Sequence, residues 1–409
     1  MSPLARALRI LSLAVAFGVL ASSWWNVSRP ALRAPGSAAV DFLPLWLGAA
    51  LVLEGQDPTS PDLAEAQFRE EHLPQRPGGF YSYYPPTASI LAAPLRALSF
   101  PSALAVWRLM CALSTPLGVI FAVLAGFSVS VRLARWDVAL TVAFLVASVA
   151  ILARPARIVL PTGQPGPLVV LFSGATLLLL ARGRLAPAAG VAAVGAALKL
   201  VPGVVVGVLV LRRQWTAVAV SMGMILALVA TLFALGVPLH PVEWVGEVGA
   251  FVGRGPLPSW RTEPSWLQAL WWGRGWGVGV GFSVALAVAW RRGLDERVAV
   301  DLAVLALASV GVVLAGSHHY HEALVLLPAL AHVVAWPAQA PRSRLAWLAA
   351  GGLMAACLLL WPAFAPRGRP DSLHWLAIGA VAWAGCSARV VECRVSEPAA
   401  YSRPRVDGC

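Results

Sequence analysis

Leu185 to Leu211 reads LAPAAGVAAVGAALKLVPGVVVGVLVL, and the way it meets the membrane decides the topology of the chain. It is uniformly apolar except for Lys199, the only lysine in the protein. Its 27 residues make either one tilted helix or two short segments broken at Lys199-Leu200-Val201-Pro202. Basic residues collect on the cytoplasmic side of membrane proteins. Here they sit in seven turns: Arg6/Arg9, Arg132/Arg135, Arg182/Arg184, Arg212/Arg213, Arg291/Arg292/Arg297, Arg342/Arg344 and Arg389/Arg394. If 185–211 crosses once, Arg212/Arg213 falls outside and the later basic turns follow it. If it enters and returns, all of these turns share the cytoplasmic side. The charge rule therefore predicts the broken pair, with Pro202 supplying the break.

Working outward, further apolar runs lie at 8–25, 102–128, 136–154, 166–182, 215–237, 276–291, 298–315, 321–337, 344–362 and 373–390, lengths that suit a bilayer core. The chain is 59% hydrophobic and 12% charged with mean hydropathy +0.74, where a soluble domain carries roughly a quarter charged residues. The reading is an all-α polytopic membrane protein of about 12 transmembrane segments, with both termini cytoplasmic. The membrane domain spans 1–394, and 395–409 forms a disordered cytoplasmic tail. Arg6 and Arg9 precede a run longer than a signal-peptide core, so 8–25 is expected to be an uncleaved first helix. The net charge of +12 is absorbed by the turns between spans, which argues against a nucleic-acid partner. Cys111, Cys357, Cys386, Cys393 and Cys409 have no metal spacing and suggest neither a zinc site nor a disulfide framework.

This topology places four connections outside, 26–101, 155–165, 238–275 and 363–372, plus a tight turn at 316–320. The first, 26–101, holds Asp41, Glu54, Asp57, Asp62, Glu65, Glu70 and Glu71 of a chain with 19 acidic residues. Within it, 42–53 is apolar enough to lie along the membrane surface as a short helix, stopped by Gly55 and kept from resuming by Pro58 and Pro61. A second short helix fits 62–72, acidic at its start as the helix dipole prefers, and a third fits 86–98, opening on Pro86. Such surface helices suit a lid over a cavity. Trp46, Trp244, Trp260, Trp266, Trp271 and Trp272 gather in the two long outer loops, where aromatic residues serve an interface or a substrate.

Four places carry candidate chemistry. Asp41 precedes an apolar run at the outer membrane boundary, where a carboxylate is costly and has a raised tendency to hold its proton; it is either a general base or a helix cap. Gly163-Gln164-Pro165-Gly166 opens the 166–182 helix; it is a plain turn or an anion and sugar contact through Gln164. Lys199 either meets a phosphate at the helix break or snorkels to an interface. Ser317-His318-His319-Tyr320-His321-Glu322 is the densest ionisable cluster, with three of the seven histidines, suited to proton transfer or phosphate pairing. No phosphate loop, nucleophile elbow, dinucleotide fingerprint or His-Glu-x-x-His occurs.

The order Asp41-Phe42, Gly55-Gln56-Asp57-Pro58, Tyr83-Tyr84-Pro85-Pro86, Pro94-Leu95, Gly163-Gln164, Ala197-Leu198-Lys199-Leu200-Val201-Pro202 and His319-Tyr320 resembles glycosyltransferase family 87, from about residue 38 to 335. That family belongs to the C superfamily of glycosyltransferases and includes bacterial polyprenyl-phosphate-mannose-dependent mannosyltransferases. The resemblance implies a multispan enzyme of the bacterial plasma membrane with its active site on the noncytoplasmic face. It implies Asp41 as the base that activates the acceptor, with the His318–His321 turn facing the donor phosphate. His319 joins Asp41 as a catalytic candidate; Lys199, His318, His321 and Gln164 are donor-phosphate candidates. Phe42, Tyr83, Tyr84 and Trp266 are substrate-facing candidates. This chain departs from the pattern at Thr59, where an aromatic is usual, and at Pro165, where a small polar residue is usual.

Such a reaction needs a base for the acceptor hydroxyl and cationic or hydrogen-bonding groups for the phosphate leaving group. A lipid-linked donor enters sideways from the bilayer, and no cytoplasmic loop is long enough for a nucleotide site. The partners expected are a lipid-linked sugar donor and a lipid or glycan acceptor, with no cofactor and no required metal. A transporter or flippase is the competing class; it calls for repeat symmetry and polar residues along several spans, whereas here polar residues gather at one side.

Overall fold

The computed structural model describes residues 3–71, 73, 84–128, 136–152, 154–240, 300, 303–304, 306–307 and 327–334. Among these the protein is helical, without strands. The helices are α1 (Pro3–Leu32), α2 (Phe42–Leu53), α3 (Pro61–Glu70), α4 (Pro86–Ala92), α5 (Phe100–Ser128), α6 (Trp136–Leu152), α7 (Arg154–Thr162), α8 (Gly166–Ala181), α9 (Leu185–Leu198), α10 (Val204–Leu211), α11 (Trp215–Ala234) and α12 (Leu327–Val334). Short 3-10 turns lie at Gly36–Ala38, Ala93–Ala97 and Val201–Gly203. The expected spans at 276–291, 344–362 and 373–390, most of 298–315, the loop 241–275 and the tail 395–409 fall outside the described residues; α12 lies within the expected span 321–337.

Among the described residues three helices are long and apolar enough to cross a bilayer: Leu4–Leu32, Phe100–Ser128 and Trp215–Ala234. Trp136–Leu152 and Ala156–Thr162, bent by 64° at their junction, form a further candidate as a pair. The protein is thus a helical membrane protein. At about 1.5 Å per residue, the 16 residues of α8 and 14 of α9 are shorter than a core of about 30 Å.

The centre of the bundle is the pair α5 and α8. Their backbones touch at Gly118 and Gly174, where a Cβ added to Gly174 would fall 2.0 Å from the Gly118 carbonyl oxygen. Small residues at a membrane helix contact permit this approach, and van der Waals packing rather than water exclusion then holds the pair. Around it, the ends of the helices sort into two faces. On one, Arg9 at the start of α1 pairs with Asp137 at the start of α6 at 3.2 Å. Arg182, just past α8, lies 5.9 Å from the Trp136 ring. On the opposite face, α4 meets the ends of both α9 and α11. Thr87 Oγ1 donates to the Ala197 carbonyl at 2.7 Å, and Leu232 packs with Val52 and Ile90.

Since α9 and α11 both finish beside α4, the chain returns between them. The break is where the sequence puts it: α9 stops at Leu198, Lys199 is extended (φ −159°, ψ 124°), and Pro202 opens the turn that leads into α10. Gly195 receives Pro202, whose ring carbon would stand 2.8 Å from an added Cβ. Arg212 and Arg213 accordingly lie at the start of α11, away from α4.

The short helices of the first loop have boundaries set by local chemistry. Asp41 precedes α2; after Glu54, Gly55 ends it with φ +70°, a left-handed conformation glycine adopts without Cβ strain. Ser60 accepts the Leu63 N–H at 3.4 Å to start α3, with Pro61 at its first position and Asp62 in its first turn. Two expectations change. First, α2 does not lie open on a surface: Phe42 to Val52 are all buried, against α3, α4 and the 93–97 turn. Second, 155–165 is not a plain connection, because α7 occupies Arg154–Thr162. Its buried Ala156, Val159 and Leu160 give it an inward apolar stripe.

Candidate active site

Asp41 sits where two segments meet. Its N–H donates to the carbonyl of Thr162, the last residue of α7, at 3.0 Å. It holds the position of a helix N-cap, yet its backbone is helical (φ −97°, ψ −26°) and its side chain makes no capping hydrogen bond. A capping aspartate is normally extended and bonds the amides of the first turn. The side chain is partly exposed and serves no capping role.

What lies below Asp41 is rigid and apolar. Phe42 is fully buried, its ring 5.3 Å from Trp107 and 6.0 Å from Phe100, both near-parallel. Trp46 packs on Phe42 at 6.1 Å and edge-on to Phe100 at 5.8 Å. Trp107 Nε1 donates to the Gly163 carbonyl at 2.7 Å, which ties this floor to the turn between α7 and α8. Gly163 has φ +71°, and a Cβ there would stand 2.7 Å from Phe42 Cβ, so only glycine fits between α2 and the turn. Gln164 follows, 4% exposed, its N–H donating to Val159 at 3.1 Å and its carbonyl 3.6 Å from Cys111 Sγ. The first turn of α8 begins two residues later, where Pro165 and Pro167 carry no N–H and the Leu168 N–H donates to the Pro165 carbonyl at 2.9 Å.

Arg108, one residue beyond Trp107, was not among the residues singled out from sequence. It is 2% exposed. Its Nη1 donates to the Ala34 carbonyl at 2.6 Å and its Nη2 to Pro161 at 2.6 Å and Pro35 at 3.3 Å. The available signal was an arginine inside an otherwise apolar 29-residue helix, since charges at membrane depth tend to have a specific partner.

Other carboxylates of the first loop have structural work. Asp57 accepts from the Thr59 N–H and hydroxyl at 2.8 and 2.7 Å, and Glu65 pairs with Arg69. Glu71 accepts from Arg96 at 2.5 Å, Gln67 at 3.2 Å and Trp46 Nε1 at 3.3 Å, with Arg96 4.3 Å above the Trp46 ring. Burial pushes the Glu71 carboxyl up, but the bonds and charge of Arg96, with Gln67 and Trp46, outweigh it and hold it below its usual value. A carboxylate so tied favours its ionised form and is a poor proton acceptor.

Of the residues singled out from sequence, the structure brings together Asp41, Phe42 and Gln164. Lys199 is placed by other contacts, at the end of α9 beside α4, with its N–H donating to Gly195 at 2.9 Å. Tyr84 is buried just ahead of α4. Tyr83, Trp266, His318, His319 and His321 lie outside the described residues. Among the described residues no group of three or more His, Cys, Asp or Glu side chains is placed to hold a metal ion.

The sequence profile of glycosyltransferase family 87 matches residues 81–325, more than half of the chain. The chain belongs to glycosyltransferase family 87. No curated protein matches it. As a family 87 member it is a membrane glycosyltransferase with lipid or glycan substrates. The matched segment contains Tyr83, Tyr84, Gln164, Lys199, Trp266 and the histidine turn, and it begins after Asp41. The case for Asp41 therefore rests on its own geometry.

Proposed function

We propose that this family 87 enzyme transfers a hexose, with mannose the first candidate, from a polyprenyl-phosphate-linked donor to a hydroxyl of a lipid or glycan acceptor. The reaction takes place on the noncytoplasmic face of a bacterial plasma membrane, and Asp41 is the general base. The observation that carries this reading is a partly exposed aspartate whose backbone is fixed by Thr162 and whose side chain has no capping bond to the helix it precedes.

In this scheme the Asp41 carboxylate takes the acceptor hydroxyl proton as that oxygen attacks the anomeric carbon of the donor. The bond between that carbon and the phosphate oxygen breaks, and the electron pair leaves with the polyprenyl phosphate. Lys199, Gln164 and the His318–His321 turn, with His319 foremost, offset the charge that builds on the leaving group. A water-poor site strengthens each of these interactions. The scheme calls on no cofactor, and the acceptor hydroxyl needs only a base at hydrogen-bonding distance.

Asp41→Asn decides the question. Asparagine keeps the shape and is a near-equal helix cap, but it cannot accept the proton. Purified variant, incubated with radiolabelled polyprenyl-phosphate-mannose and a bacterial lipid extract, should form product about 10²–10⁴-fold more slowly than the parent. Transfer within a few-fold of the parent at equal protein would remove Asp41 from the reaction.

A further inference from the structure

We infer that Arg108 is a positioning residue for Asp41, an inference that rests on Asp41 being the base. The guanidinium joins the two segments that carry Asp41. Upstream, it holds the carbonyls of Ala34 and Pro35, and the compact turn Gly36–Ala38 leads from there to Asp41. Downstream, it holds the carbonyl of Pro161, whose neighbour Thr162 takes the Asp41 N–H. One buried cation thus fixes both the chain that delivers the carboxylate and the chain on which it hangs.

The choice of arginine follows from the geometry. Two of its nitrogens serve three carbonyls from two segments, and a planar fork is preset for this in a way an ammonium is not. Trp107, the preceding residue on α5, bonds the carbonyl two residues past Pro161, that of Gly163, while the Thr162 carbonyl between them takes the Asp41 N–H. The start of α5 therefore grips the chain on either side of Thr162, and of these two residues Arg108 extends the grip to the residues ahead of Asp41. Misplacing a reacting group by about 1 Å costs up to about 10²-fold in rate, so a loss of the fork should act on turnover rather than on affinity.

The test compares Arg108→Gln and Arg108→Lys, each in the parent and in the Asp41→Asn background. Full-length protein in detergent receives polyprenyl-phosphate-mannose and a bacterial lipid extract. Arg108→Gln should lower kcat about 10–100-fold while KM for the donor stays within about threefold of the parent. In the Asp41→Asn background the same change should slow the residual rate by less than about threefold, because the group it positions is already disabled. Arg108→Lys, which keeps the charge, should remain folded with a kcat between the other two. It decides the matter if the glutamine variant does not fold: parent-level kcat in the lysine variant overturns the inference. An equal loss in both backgrounds, or a loss confined to KM, also overturns it while leaving Asp41 as base. Near-parent activity in Asp41→Asn alone instead overturns the base assignment.

Discussion

Helices α2 and α11 are both made of apolar residues, and they live in opposite surroundings. In α2 every residue from Phe42 to Val52 is buried. In α11 the buried residues are Ala217, Ser221 and Leu232, while Leu226 and Phe233 are 60% and 63% exposed. Length separates them: 12 residues rise about 18 Å and 20 residues about 30 Å, so only α11 matches a bilayer core. Hydrophobicity in a membrane chain reports the exclusion of water and leaves open whether lipid or protein excludes it. The polar groups at a helix end carry the rest of the information. At the start of α2 these are the Asp41 N–H on Thr162 and, one turn of chain away, the Arg108 fork.

The contrast breaks most readily where the two helices meet. Gly55, at the end of α2, has φ +70°, and an added Cβ would stand 2.7 Å from the Leu235 carbonyl oxygen past α11. Gly55→Ala should cost about 1–3 kcal/mol for the left-handed backbone and about 1–3 kcal/mol more for the forced displacement. Thermal unfolding of detergent-solubilised protein reads this, and an unchanged Tm would mean α2 and α11 are not joined there. Next in size, Leu47→Ala removes a fully buried side chain from α2 and should cost about 2–5 kcal/mol.

The sequence marked the limits of these helices more clearly than their neighbours. Gly55, Pro61, Pro86 and Pro202 act locally, through backbone angles and missing donors, so α2, α3, α4 and the break at Lys199 fall where those residues place them. Burial is a tertiary property, and the apolar run 42–53 reads the same under lipid or under protein. The span limits made 155–165 a connection, yet α7 runs through it, and Pro155 lies in the first turn of α7, where its missing N–H has no helical partner to lose. Pro161 comes at the last turn. Asp41 before an apolar run looks identical whether or not its side chain caps the helix, so only the geometry separates the two roles.

Smaller effects sharpen the same comparison. Glu71, which ties α2 to α3 and the 93–97 turn, has a folded pKa below its ordinary 4.5. The unfolded chain then binds more protons, so this tie's contribution is complete above that value and is lost as pH falls through the lowered one. Tm measured from about pH 6 to about pH 3 should fall less steeply in Glu71→Gln than in the parent; parallel curves would dismiss the tie. Smallest of all, Leu226→Ala on the exposed side of α11 should shift stability by no more than about 0.5 kcal/mol. A cost matching that of Leu47→Ala would show that α11 is covered by protein after all.

The bonds of Arg108 also set an order of events during synthesis. Its partners Ala34 and Pro35 precede it in the chain, while Pro161 follows 53 residues later. At about 5–20 residues per second, a ribosome takes about 3–10 s to deliver that last carbonyl. During this interval the nascent chain can join α5 only to what has already emerged, and Asp41 still lacks Thr162. The segment that carries Asp41 is thus fastened from behind first and locked by a late arrival, which makes α7 the segment whose delivery completes the seat of Asp41.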